Sequence, residues 1–153
     1  ATATAKPAAT QSEVGPPSYT LTTAKTPTPK APVDRWFWPA EGTVSRAYSA
    51  EQHTGIDLVG ERGSPVMATA AGVVVYAGTG VTGYGALLIV KHNDTYLSAY
   101  GHNDALLAAE GQQVDAGQVI ARMGSTSSDS VKLHFEIRAN GGPVNPLSLL
   151  PQR

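Results

Sequence analysis

The chain has 153 residues, 41% hydrophobic and 15% charged, enough for one domain with a modest core. Its formal net charge of -1, with no run of Lys or Arg, leaves no basic field for nucleic acid or anionic lipid. With no cysteine, disulfide frameworks and thiolate metal sites are excluded, so any metal must be held by His, Asp, Glu or Asn. No apolar run approaches the roughly 18 residues of a membrane helix and no leader pattern opens the chain, so a soluble polypeptide is expected.

Residues 1–33 hold six of the eleven prolines but one of the sixteen glycines, and few large apolar side chains. Such a segment cannot bury enough surface to offset its ordering entropy. It is expected to be a disordered, semi-rigid linker, most extended at residues 26–32 (TPTPKAP). Lys6, Lys25 and Lys30 against Glu13 give it a charge of +2, which leaves -3 for the remainder by difference from -1. The abrupt aromatic run at residues 34–39 (DRWFWP) marks where packing begins, so a single domain is expected over residues 34–153. An aromatic sugar platform is the other reading of Trp36, Phe37 and Trp38.

Short β-type runs follow, separated by Gly, Asn, Asp and Pro, at residues 42–46, 53–58, 65–68, 72–77, 86–92, 95–100, 118–123 and 133–138. Only residues 104–109 and 146–150 suggest a helical turn or two. The pattern predicts an all-β domain of antiparallel hairpins, a sandwich or barrel-like sheet. Gly63-x-x-Val66-x-Ala68 recurs as Gly111-x-x-Val114-x-Ala116, as two related β-loop units would. Asn93-Asp94 predicts a tight hairpin that lacks the favoured glycine. The run from Gly78 through Gly80 to Gly83 matches a dinucleotide fingerprint, but a strand and not a helix follows it, so it reads as a glycine-rich loop, with a flexible wall of a binding groove as the other reading.

Residues 130–138 (SVKLHFEIR) alternate, which sets Lys132, His134, Glu136 and Arg138 on one face and Leu133, Phe135 and Ile137 on the core face. Alone, His134 could be structural. His53 and Asp57, four residues apart across Gly55, could likewise be a surface histidine beside a turn carboxylate. Tyr96, Ser98, Tyr100 and His102 share one parity, taken as the polar side, so that His102 leaves the strand end there. His92 abuts the Asn93-Asp94 turn and reads as solvated. Jointly, two His and one Asp on separate segments match a catalytic zinc shell, in which three protein ligands leave a fourth position for water. His53, Asp57 and His134 would form that shell, with His102 as the nearby acid or base.

The order HTGID, AYGH, KLHFEI and VNPLSLLP resembles the LytM/lysostaphin family of zinc peptidoglycan endopeptidases, from about Trp38 to the C-terminus. That family reads H-x-x-x-D, then a mid-chain Tyr-x-His, then H-x-H on a late strand. The resemblance implies its all-β LytM fold, a duplicated hybrid motif, with one zinc ion on His53, Asp57 and His134 and a catalytic role for His102. The first His of H-x-H, used in catalysis beside the metal, is Lys132 here. Its ammonium would face the metal, and it cannot copy an imidazole near neutral pH.

That departure, together with GHND, KLHFEIR and NPLSLLPQR, is most similar to the NlpD-like branch. There the LytM domain of an outer-membrane lipoprotein activates cell-wall amidases. The resemblance implies a bacterial, periplasmic protein anchored to the outer membrane by a lipid, with a LysM module upstream. Its partners would be peptidoglycan and a periplasmic N-acetylmuramoyl-L-alanine amidase at cell division. The alternative is a zinc metalloendopeptidase that cuts peptidoglycan cross-links. Lys132 favours the activator; intact His53 and Asp57 favour the enzyme.

Overall fold

Glycine and asparagine turns cut the apolar runs into ten strands, all paired antiparallel, in a computed structural model that describes Val33 and residues 35–152. The linker expected over residues 1–33 lies, Val33 apart, outside the described residues. In chain order the strands are β1 (Thr43–Arg46), β2 (Ile56–Val59), β3 (Pro65–Met67), β4 (Gly72–Gly78) and β5 (Ala86–Lys91). They continue as β6 (Tyr96–Leu106), β7 (Gln113–Val114), β8 (Val119–Met123), β9 (Lys132–Ala139) and β10 (Gly142–Val144), followed by a 3-10 turn at Pro146–Ser148. The main path runs β1-β2-β9-β6-β5-β4-β7, with β10 paired to β9, and β8 paired to both β3 and β6.

The all-β expectation holds, and strand alternation explains where the core sits. Leu133, Phe135 and Ile137 of β9 face inward with Ile56 and Leu58 of β2 and Tyr100 of β6, all fully buried. Each such side chain contributes about 1.5–3 kcal/mol of transfer free energy. The opposite face of the sheet carries a second apolar cluster, Val75, Tyr76, Leu87, Ile89 and Ala99, against which Val81, Tyr84 and Leu97 pack. The two tryptophans pack on the core: Trp36 sets its edge on His92 and Tyr96, and Trp38 Nε1 donates to the Pro151 carbonyl at 2.7 Å.

The internal echo has a backbone counterpart. Gly63 and Gly111 adopt φ of 88° and 87°, values that glycine tolerates without strain, and each donates its N–H at 2.8 Å to a strand carbonyl, Met123 and Val74 respectively. Val66 and Val114 are buried three residues on from them.

Of four local expectations, three are corrected and the hairpin is met. Residues 104–106 end β6, so the helical turn expected over 104–109 is absent there, whereas the one at the C-terminal end is present as 3-10. The Asn93-Asp94 hairpin closes over residues 92–95: His92 N–H donates to the Tyr96 carbonyl, and Asn93 Oδ1 accepts from the N–H groups of Thr95 and Tyr96, both at 2.9 Å. That side-chain bridge replaces the missing glycine. His92 is not solvated but 2% exposed. Its Nδ1 donates to the Ala71 carbonyl and its Nε2 meets Ser98 Oγ, each at 2.8 Å.

The fourth concerns the parity of β6. Ser98 and Tyr100 point into the core and not to a polar side, joined by a 2.6 Å hydrogen bond, with Tyr100 packed on Phe135. Simple alternation would send His102 inward with them. Instead the pairing with β5 slips between Ala86 and Leu88, and His102 takes a left-handed φ of 67°. This bulge brings the His102 ring to within 6.1 Å of the His134 ring, on the outer face.

Candidate metal centre

β9 lies between β2 and β6, and its register sets His134 directly opposite Asp57 on one side and Gly101 on the other. Gly55 lets the preceding segment pass close to β9, since a Cβ there would collide with the Phe135 carbonyl. His53, pinned by a bridge to Ser49, is thereby carried over the same spot. His134 Nδ1 lies 2.8 Å from Asp57 Oδ1, and His53 Nε2 lies 3.3 Å from the same oxygen. One donor atom from each of His53, Asp57 and His134 falls within 4.8 Å of the others.

The far nitrogen of each ring is anchored. His53 Nδ1 donates to the Gly55 carbonyl at 2.8 Å, which leaves the Nε2 lone pair facing Asp57. His134 Nε2 donates to Glu136 Oε2 at 2.8 Å, which aims Nδ1 at Asp57. Two imidazoles held this way, with one carboxylate, are a donor set of the type suited to zinc. The residues present therefore fit the ion that the resemblance implies.

Glu136 is the group that sequence reading noticed on this face but gave no role. It is 1% exposed and receives Thr54 Oγ1 at 2.7 Å, Tyr84 OH at 2.6 Å and Arg138 Nε at 2.9 Å, in addition to His134. Burial raises its pKa, but those donors and the Arg138 charge win and bring it down to about 2. Burial likewise works against charge on His134, yet its hydrogen bonds to Asp57 and Glu136 lift it to about 9. Asp57 shows the same contest: burial raises it, and the His134 hydrogen bond with the charges of His134, His53 and Lys132 brings it below the usual carboxylate range. A metal on His134 Nδ1 must displace a proton from that nitrogen.

His102 is buried beside this cluster, its Nδ1 donating to the Thr126 carbonyl at 2.7 Å, so that Nε2 keeps its lone pair. Burial first, then the charges of His134 and Lys132, push its pKa down, which favours the neutral, basic ring. Lys132 reaches the cluster as expected from its spacing, Nζ lying 3.4 Å from Asp57 Oδ2. On the same face a groove opens beyond Glu136, with Val81, Tyr84, Leu87, Ile89 and Leu97 as its apolar walls and Arg138 at its polar side. The glycine-rich loop and the residue after it supply Val81 and Tyr84 to this wall.

Comparison with known proteins shows the family. Peptidase family M23 matches residues 51–146. The "Lipoprotein NlpD/LppB homolog" of Pseudomonas aeruginosa is 57% identical over 123 residues, covering 79% of this chain and 41% of that protein. The "Murein hydrolase activator NlpD" of Escherichia coli is 55% identical over 124 residues, covering 80% of this chain and 33% of that protein. The chain thus spans about two-fifths or less of the length of these curated relatives. Among solved structures, a zinc-containing peptidase from Vibrio cholerae superposes with a TM-score of 0.71 at 26% identity, over 78% of this chain and 41% of that one.

Proposed function

The chain belongs to peptidase family M23, and from that membership we propose that its domain, residues 34–153, activates a periplasmic cell-wall amidase during peptidoglycan splitting at cell division. The observation that carries the reading is Lys132 Nζ at 3.4 Å from Asp57, an ammonium at the position where the resemblance expects a second catalytic imidazole. Without that ring, one member of the pair that moves protons and steadies a developing oxyanion is missing. The name murein hydrolase activator, borne by the Escherichia coli relative, supports the same reading. Activation requires the domain to bind the open form of the amidase better than its self-inhibited form. Residues 1–33 serve as the linker to an outer-membrane anchor, which places the domain in the periplasm.

A second reading, a zinc endopeptidase that cuts cross-links, is favoured by the anchored His53, Asp57 and His134. Here these three would hold the ion, whose chemistry is to activate water and polarise the scissile carbonyl. His102 Nε2 would take a proton on that face, and Glu136 would keep His134 in the correct tautomer.

Digestion of purified peptidoglycan by the chain alone, by a candidate amidase alone and by both separates the readings. The activator gives amide cleavage only in the mixture. Cross-link cleavage by the chain alone, lost on chelation, would replace it with the enzyme.

A further inference from the structure

The single carboxylate of the candidate donor set is divided between two claims. Asp57 is 3% exposed, and its Oδ1 faces the imidazoles of His53 and His134. Its Oδ2 faces the Lys132 ammonium at 3.4 Å. The lysine is not there by chance of a long side chain. Its backbone N–H is tied to the Gly124 carbonyl at 3.0 Å, and its register opposite Val59 sets it beside the Asp57 strand, two residues from His134 on the same face. Its side chain is only 23% exposed, so the charge is held at the cluster.

We propose that Lys132 is a tethered cation that competes with a divalent metal for Asp57 and thereby sets the metal affinity of the site, an inference that rests on reading His53, Asp57 and His134 as the donor set. An ammonium has three donors and no acceptor, so while charged it satisfies the carboxylate without offering the ion a ligand. A metal entering here finds the anion already paired and meets a like charge in a partly dehydrated site, where screening is weak. Two imidazoles and a neutralised carboxylate then bind as a weaker set than the same three groups beside a neutral residue. The ion is held loosely enough for occupancy to follow its free concentration.

The test is zinc affinity of the full chain, measured at one pH by competition with a chromophoric chelator, with folding checked by circular dichroism. Lys132→Met should tighten the dissociation constant at least about tenfold, roughly 1.4 kcal/mol. Lys132→Gln, which can still donate to Asp57, should tighten it too and serves if methionine impairs folding. Lys132→Arg keeps the charge and should stay within about threefold of wild type, a distinction that a purely structural lysine would not produce. Equal affinity in wild type, Met and Gln variants would overturn the competition. So would an Arg variant that tightens as much as Met. Asp57→Asn identifies which idea has failed: it should weaken binding, and if it leaves zinc affinity unchanged the donor set itself is wrong.

Discussion

Glu136 and His134, two residues apart on one strand, are joined by a 2.8 Å hydrogen bond between Oε2 and Nε2 that fixes which nitrogen His134 shows to Asp57. Neutralising the carboxylate should loosen that choice. Glu136→Gln is expected to lower zinc affinity about 10- to 100-fold, the range seen for partners that orient metal-bound histidines. Glu136→Ala removes the ion-pair partner of Arg138 and leaves the Thr54, Tyr84 and His134 donors unpaired, and should also cost about 1–3 kcal/mol of stability. Chelator competition and thermal unfolding of the two variants check these outcomes.

Removal of His134 itself should abolish stoichiometric zinc, because the remaining His53 and Asp57 supply two ligands where at least three are needed. Elemental analysis of purified His134→Ala decides this. Retention equal to wild type would move the metal elsewhere.

Lys132→His restores the imidazole that the resemblance expects beside the metal. On the activator reading, cross-link cleavage by the chain alone should be near background in wild type and rise by about 10²-fold in the variant, the lower end of what a positioned acid or base supplies. Release of soluble peptide from cross-linked peptidoglycan measures it, with chelator as the control.

Burial holds His92 neutral, outweighing its hydrogen bond to the Ala71 carbonyl and lowering its pKa to about 4 from 6.5. Between those values the unfolded chain binds more protons than the folded one. The contribution of His92 is therefore fully present above pH ~6.5, is lost as pH falls toward 4, and is then constant. Its size is on the order of 3 kcal/mol. Urea unfolding at several pH values should show this slope, and His92→Gln should flatten it in that window. A variant with the wild-type slope would mean that other groups carry the acid sensitivity.

Deleting residues 1–30 should leave the thermal midpoint within a few degrees of the full chain, since a proline-rich segment with few large apolar groups contributes little burial. A larger drop would mean that the segment packs on the domain.

The parts of the site legible in sequence were those encoded locally. Alternation in residues 130–138 put His134 and Lys132 on one face, and the His53 to Asp57 spacing across a glycine put two more donors within reach. The acid that anchors His134 was on the correct face, but its role depends on Thr54 and Tyr84, 82 and 52 residues away, which no local pattern shows. His92 was misplaced for the same reason: a histidine beside a turn looks exposed until Ala71 and Ser98 close over it. On β6 the side of the sheet was misjudged, because a bulge breaks the period on which such reading depends.

That bulge bears on what natural selection can see at position 102. A left-handed backbone is about 1–2 kcal/mol less favourable for an ordinary residue, and glycine escapes it. What the fold gains from histidine there includes one hydrogen bond to the Thr126 carbonyl, about 0.5–1.5 kcal/mol, and the burial of a ring set against His134. Glycine there would escape the backbone cost but would give up both the bond and the buried ring. Keeping the ring there means keeping a left-handed residue for contacts that only its imidazole makes.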